Sequence, residues 1–191
     1  MWLLVGLLCG SGLASGPEVI AERERLRQEM TLLAQRNAWG GIERKFQKLE
    51  ALGGTPKLDD YMLGARAALT VGDVLTAIDR LERGIDGLGT HEGRQQATEL
   101  LAELHRRYGY VNILVFRSSA PPLERPDMPF ASEEKVAIDF ARKRLRRDRR
   151  YLGMLPIGTY VLEDTRFTIK GDAPMLDVQI GMPAASGRVI Y

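Results

Sequence analysis

Cysteine is almost absent from this chain: its one representative, Cys9, lies in an apolar stretch near the N-terminus. A single thiol can form neither an internal disulfide nor a thiolate metal cluster, so neither organises the fold. Histidine is nearly as scarce, with only His91 and His105. No His-Glu-x-x-His spacing occurs and no cluster of ligands surrounds either ring, which leaves no zinc motif. Aromatic residues are 7% of the chain and do not interleave with its basic run, so a base-stacking nucleic-acid surface is not expected. Excess charge is missing too. Lys and Arg number 27 against 25 Asp and Glu, a net +2, so electrostatic recognition would have to come from local clustering. There is no Gly-x-Ser-x-Gly elbow and no Walker loop, and Gly53-Gly54-Thr55 lacks the lysine and strand context of a phosphate loop. The adjacent acids Asp59-Asp60 and Glu133-Glu134 fall in first helical turns, where the helix dipole accounts for them better than acid–base catalysis does. Neither catalytic nor metal-binding residues are expected, and no cofactor.

Long hydrophobic runs are also lacking. The apolar residues 2–8 are too few to span a bilayer as a helix. They are followed by small residues, and this resembles a secretory signal peptide, with Gly12-x-Ala14 as a cleavage site. No Lys or Arg precedes the run, and an apolar first helix packed on the domain is the alternative. Lipid attachment at Cys9 ranks below simple cleavage because Leu8 is not small. Residues 1–15 are therefore expected to be a signal segment, and the protein to be periplasmic or secreted.

What the chain does contain is enough apolar residue, 45%, to bury a core, with 27% charged residues to keep it in solution. Residues 58–84 read as two amphipathic helices with a Gly72-Asp73 break, glycine permitting the turn and aspartate capping the next helix. Tyr61, Gly64, Ala65 and Ala68 share one face, and Ile78, Leu81 and Ile85 another. Upstream, Leu26, Met30 and Leu33, then Asn37-Ala38, then Ile42 and Phe46 repeat the pattern, with Pro56 after. The offset is one residue more than the usual repeat of about 34. These positions resemble tetratricopeptide repeats. The earlier copy has Met30 and Ile42 where small residues are usual, and the later copy has Gly89 in place of the closing proline. The resemblance implies a short concave groove for a peptide or partner helix. Met62, Arg66 and Leu69 would line it, with Arg27, Thr31 and Ala34 from the earlier copy.

In order, helices are expected from Gly16-Pro17-Glu18 to about Arg36, from Trp39 to Leu52, from a Thr55-Pro56 cap onward, and up to Gly87 or Gly89. A fifth helix runs from a Thr90 cap to Tyr108 and closes the repeat. At Gly109 the period changes, and residues 110–116 read as a buried strand. Pro121, Pro122, Pro126 and Pro129 make the next stretch an extended loop. Ser132 caps a helix over 132–151 with Val136, Ala137, Phe140, Ala141 and Leu145 inward. A hairpin (158–162 with 167–169), an alternating strand (176–180) and a last strand (188–191) complete an antiparallel sheet. Residues 155–162, Leu-Pro-Ile-Gly-Thr-Tyr-Val-Leu, resemble the hairpin entry of small PEGA-type and carboxypeptidase-regulatory-type β-sandwiches, which implies a binding or spacer module.

The expected class is thus α+β: a helical repeat domain (16–108), then a small antiparallel β domain (109–191) with one inserted basic helix. That helix carries Arg142, Lys143, Arg146, Arg147, Arg149 and Arg150 outward, near the end where the dipole favours cations. Those residues form a candidate anion-binding face, weighed against a solvated face whose arginine stems cover apolar surface. An exported, non-enzymatic adaptor binding a protein or peptide through the groove is the first expectation. The alternative is an envelope-binding module that grips an anionic surface; an enzyme with a site between the domains ranks last.

Overall fold

A computed structural model describes residues 16–87, 89–127, 131–171 and 173–181. Five helices come first: α1 (Pro17–Gln35), α2 (Trp39–Ala51), α3 (Leu58–Val71), α4 (Val74–Ile85) and α5 (His91–Arg107). The Asp73 carboxylate accepts the Thr76 N–H at 3.2 Å and caps α4, and the Thr90 hydroxyl accepts from Gly93 N–H at 3.0 Å to cap α5. The start of α3 differs from expectation. It begins at Leu58 rather than at Thr55-Pro56, because the Asp60 carboxylate accepts the Lys57 N–H at 2.8 Å and supplies the cap from inside the helix.

Each of these helices packs on the next, and α3 also touches α1 and α5. Their apolar side chains fall into two clusters, not one. Leu26, Met30, Ile42, Phe46, Leu49, Tyr61 and Ala67 form the first; Leu58, Ala65, Ala68, Ala77, Ile78, Leu81, Ala97 and Leu104 belong to the second. Helix α3 serves both, which is why its residues are small: a Cβ on Gly64 would come 2.9 Å from the Phe46 ring. Arg80 is buried between the clusters. It donates to both Glu43 oxygens at 2.6 and 2.8 Å and to the Gly64 carbonyl at 2.8 Å, and its guanidinium lies 4.5 Å from the centre of the Phe46 ring. That hydrogen bonding holds the Glu43 carboxyl below the usual carboxylate range.

Helix α5 then runs straight into β1 (Tyr108–Val115), followed by β2 (Leu123–Glu124), α6 (Ser132–Asp148), β3 (Arg150–Pro156), β4 (Gly158–Leu162), β5 (Thr165–Ile169) and β6 (Leu176–Ile180). The class is mixed α+β, but the strands do not make one antiparallel sheet. One three-stranded sheet has the order β3-β1-β6, with β1 antiparallel to β3 and parallel to β6; the other, β2-β4-β5, is antiparallel. The basic helix is also shorter than the sequence pattern predicts. It stops at Asp148 because Arg149 turns left-handed at φ 54, and Arg150 already belongs to β3. The expected strand at 188–191 and the signal segment at 1–15 lie outside the described residues.

Between the two sheets lie Val111, Ile113, Tyr151, Val178, Tyr160, Leu162 and Ile169, and α6 inserts Ile138, Ala141 and Leu145 among them. Its neighbour Ala137, with Met154 of β3, joins the cluster of α3 to α5 instead. The helical and β parts therefore share buried side chains across α6. The contact is close at Gly72, which caps α3 at φ +88; an added Cβ would collide with the Val136 carbonyl and lie 2.9 Å from the Ala137 Cα. Gly72→Ala should combine left-handed strain with that collision and lower unfolding free energy by about 2–4 kcal/mol, read by urea denaturation.

Candidate functional site

Burial of Ile138, Ala141 and Leu145 fixes which way α6 faces, and so where its charges go. Arg142 is committed to structure: its Nε donates to the Leu123 carbonyl at 2.8 Å, tying β2 to the helix, and a second nitrogen donates to Asp139 at 3.0 Å. Arg144 stacks over Phe140 at 5.6 Å and reaches Asp148 at 3.4 Å. Arg147 grips the same carboxylate with two nitrogens, at 2.7 and 2.8 Å, and so holds the Asp148 carboxyl below the usual range. Arg149 donates to the Arg117 carbonyl at 3.4 Å. Lys143, Arg146 and Arg150 are exposed and make no ion pair among the described residues.

Of these six cations, read from the sequence as one helical face, all but Arg147 line one of two shallow depressions. One, of about 510 Å³, lies between α6 and the chain entering β2, lined by Pro121, Pro122, Glu124, Asp139, Arg142, Lys143 and Arg146. The other, of about 470 Å³, lies where α6 and β1 end, and is lined by Leu114, Phe116, Arg117, Asp148, Arg149 and Arg150. Arg149 and Arg150 reach it from the turn and from β3, not from the helix. Arg117 was not singled out from the sequence. It follows β1, far along the chain from the other cations, and pairs with Glu163; only the fold brings it to them.

The expected groove residues are more dispersed. Arg27 is partly buried and gives its Nε to Asp60 at 2.9 Å and another nitrogen to Glu24 at 3.2 Å. Thr31 is exposed and its hydroxyl donates to the Arg27 carbonyl at 3.1 Å. Met62 and Leu69 do not stand free: both are half-buried against the α3–α5 cluster, and α6 abuts the end of α3. Arg66 is exposed.

Other polar groups are engaged in holding the fold. The buried Tyr151 and Tyr160 hydroxyls donate to the carbonyls of Met154 at 2.9 Å and Pro156 at 2.8 Å, and burial pushes both phenols up. Burial likewise pushes Tyr108 up to about 12, against the pull of Arg107. Glu133 and Glu134 both accept from Arg107 at 3.2 Å. His105 lies 6.4 Å from the Tyr110 ring. Among the described residues no three or more His, Cys, Asp or Glu side chains are grouped to hold a metal ion, and no helix is long and apolar enough to cross a membrane.

Arginines with structural and free roles should separate in a stability assay. Arg142→Ala, which frees the Leu123 carbonyl, should cost about 1–2 kcal/mol in chemical denaturation, whereas Lys143→Ala and Arg146→Ala should stay within about 0.5 kcal/mol of the parent.

Comparison of the chain with protein-family models, with curated proteins and with solved structures finds no match to any of them.

Proposed function

We propose that this is a non-catalytic binding protein that holds an anionic partner against the C-terminal half of α6 and the turn that leads from it into β3. The observation that carries this reading is the state of the charges there. Asp139, Asp148 and Glu163 are each already bonded to an arginine, while Lys143, Arg146 and Arg150 remain exposed without an ion-pair partner among the described residues. Arg142 with Arg146, and Lys143 with Arg147, are like charges four residues apart on α6 and repel each other, an unfavourable placement that a bound anion would relieve. An exported protein placed at a cell envelope would meet such anions on a surface, which fits the expected signal segment.

Polyanion binding tests it. The full chain should bind immobilised heparin with an affinity that falls steeply with salt, and replacing Lys143, Arg146 and Arg150 together by Gln should remove roughly one unit of log–log salt slope per lost contact. Salt-independent retention, or a triple variant that elutes with the parent, would sink this reading.

A second reading is favoured by the stacking of the first five helices. We infer tandem hairpins of the tetratricopeptide kind, supported by two apolar clusters in series and by the contacts of α3 with α1 and α5. The groove would then be confined to the stretch near Thr31 and Arg66, and would serve an adaptor. The likeness of residues 155–162 to PEGA-type hairpin entries belongs to the same proposal; that string forms the corner from β3 to β4, closed by Tyr160 on Pro156. A photo-crosslinker at position 66 should trap a protein partner if the adaptor reading holds. Crosslinks confined to probes at 143 and 146 would rule it out.

A further inference from the structure

A sheet covered on one face is expected to be polar on the other. The β3-β1-β6 sheet is mixed there, with apolar side chains set among polar ones. Val111, Ile113 and Val115 point into the core, which leaves Tyr110, Asn112 and Leu114 on the opposite face. The register places Met154, Leu152 and Arg150 beside these three from β3, and Asp177 and Gln179 beside Asn112 and Leu114 from β6. At one end Tyr110 and Met154 are covered by the helical cluster. At the other end Leu152 is 48% exposed, and Phe116, whose N–H prolongs the pairing by donating to the Ile180 carbonyl at 2.9 Å, is 52% exposed. Leu114 lies between them, half-buried.

The setting of this apolar strip is cationic. Leu114 and Phe116 share their depression with Arg117, Arg149 and Arg150. The acids nearby are engaged: Asp148 by Arg147, Glu163 by Arg117, and Asp177 by the Asn112 amide, which donates at 2.8 Å. A soluble polyanion would use the guanidinium groups and leave Phe116 and Leu152 in water. A surface that is apolar a few ångströms down and anionic above would use both sets at once. Arginine stems can lie along apolar surface while their heads reach phosphates, and an aromatic ring suits the boundary between headgroups and acyl chains.

We infer that the exposed end of this sheet docks on an anionic lipid bilayer, with Phe116, Leu152 and Leu114 entering the interface and Arg149 and Arg150 meeting lipid phosphates. This rests on the anionic-partner reading above and names the partner. It needs no membrane-spanning segment.

The test is flotation of the full chain with vesicles of phosphatidylcholine, with and without phosphatidylglycerol, alongside elution from heparin. The parent should float only with phosphatidylglycerol present, and less so at high salt. Phe116→Ser combined with Leu152→Ser should weaken vesicle binding by about tenfold or more while leaving heparin elution unchanged. Arg150→Gln should weaken both. Because Phe116 and Leu152 are exposed, the double variant should keep the parent's thermal unfolding; Phe116→Trp gives a second readout, since its added fluorescence should shift to the blue on phosphatidylglycerol vesicles. Undiminished flotation of the double variant, or no blue shift, overturns the bilayer inference. A parent that binds heparin but never floats overturns it too and leaves the anionic-partner reading standing. A parent that does neither removes both.

Discussion

Helix α6 has to be buried in two places at once. Ala137 packs against the end of α3 and joins the helical cluster, while Ile138, Ala141 and Leu145 fill the space between the sheets. The two demands fall on adjacent residues and together occupy one side of the helix, so its charges are left to the other side and to its C-terminal end. Its other end is held by Arg107, which donates to Glu133 and Glu134 while the Arg107 carbonyl accepts from Ile157 N–H at 2.9 Å. Acids in the first turn and arginines in the last both suit the helix dipole. The cationic end is thus a consequence of where the apolar residues of one helix must go, whatever it binds.

The same constraint bears on the trough that a tandem-hairpin pattern implies. A trough on α3 needs Met62 and Leu69 in the open, but the chain's own later elements crowd that side, and Gly72 lets α6 approach almost backbone to backbone. Of the three α3 residues expected to line the trough, Arg66 is the exposed one. In the helical stack the polar groups that do become buried are matched: Arg80 with Glu43, and Asp60 with Arg27 and the Lys57 N–H. Such pairs fix the angle at which neighbouring helices meet, since a buried charge left alone would be costly.

Much of this was legible in the sequence, and what was not has physical reasons. The stripes of α2, α4 and α5 and the caps Asp73 and Thr90 are local, and the helices formed where those signals place them. The end of α6 was misread because arginine is a good helix former, and nothing in the run from Arg142 to Arg150 signals that Arg149 takes a left-handed conformation. Strand β3 was missed for the same reason, since it follows the arginines with no glycine or proline between. Alternation in residues 176–180 gives a strand but not its direction, because pairing with β1 is decided by tertiary packing. Among the site residues, charge and exposure at Lys143 and Arg146 could be read directly. The diversion of Arg142 to a backbone carbonyl and the arrival of Arg117 could not, for both depend on contacts between segments distant in sequence.

The place of β1 in its sheet bears on how the chain reaches this state. Its partners are β3 and, in parallel, β6, whose register joins Val111 to Leu176. The five helices make most of their contacts with near neighbours, Ala137 and Met154 being later additions to their cluster, and can begin to form as the chain leaves the ribosome. The central strand cannot, and Val111 and Ile113 stay uncovered until the last paired strand has emerged. Long-range pairing of this sort is slow and leaves apolar surface open to intermolecular association in the interval. Synthesis should therefore pass through a stage in which a folded helical stack carries a sticky, unfinished tail, and chaperone dependence should be concentrated in the second half of the molecule.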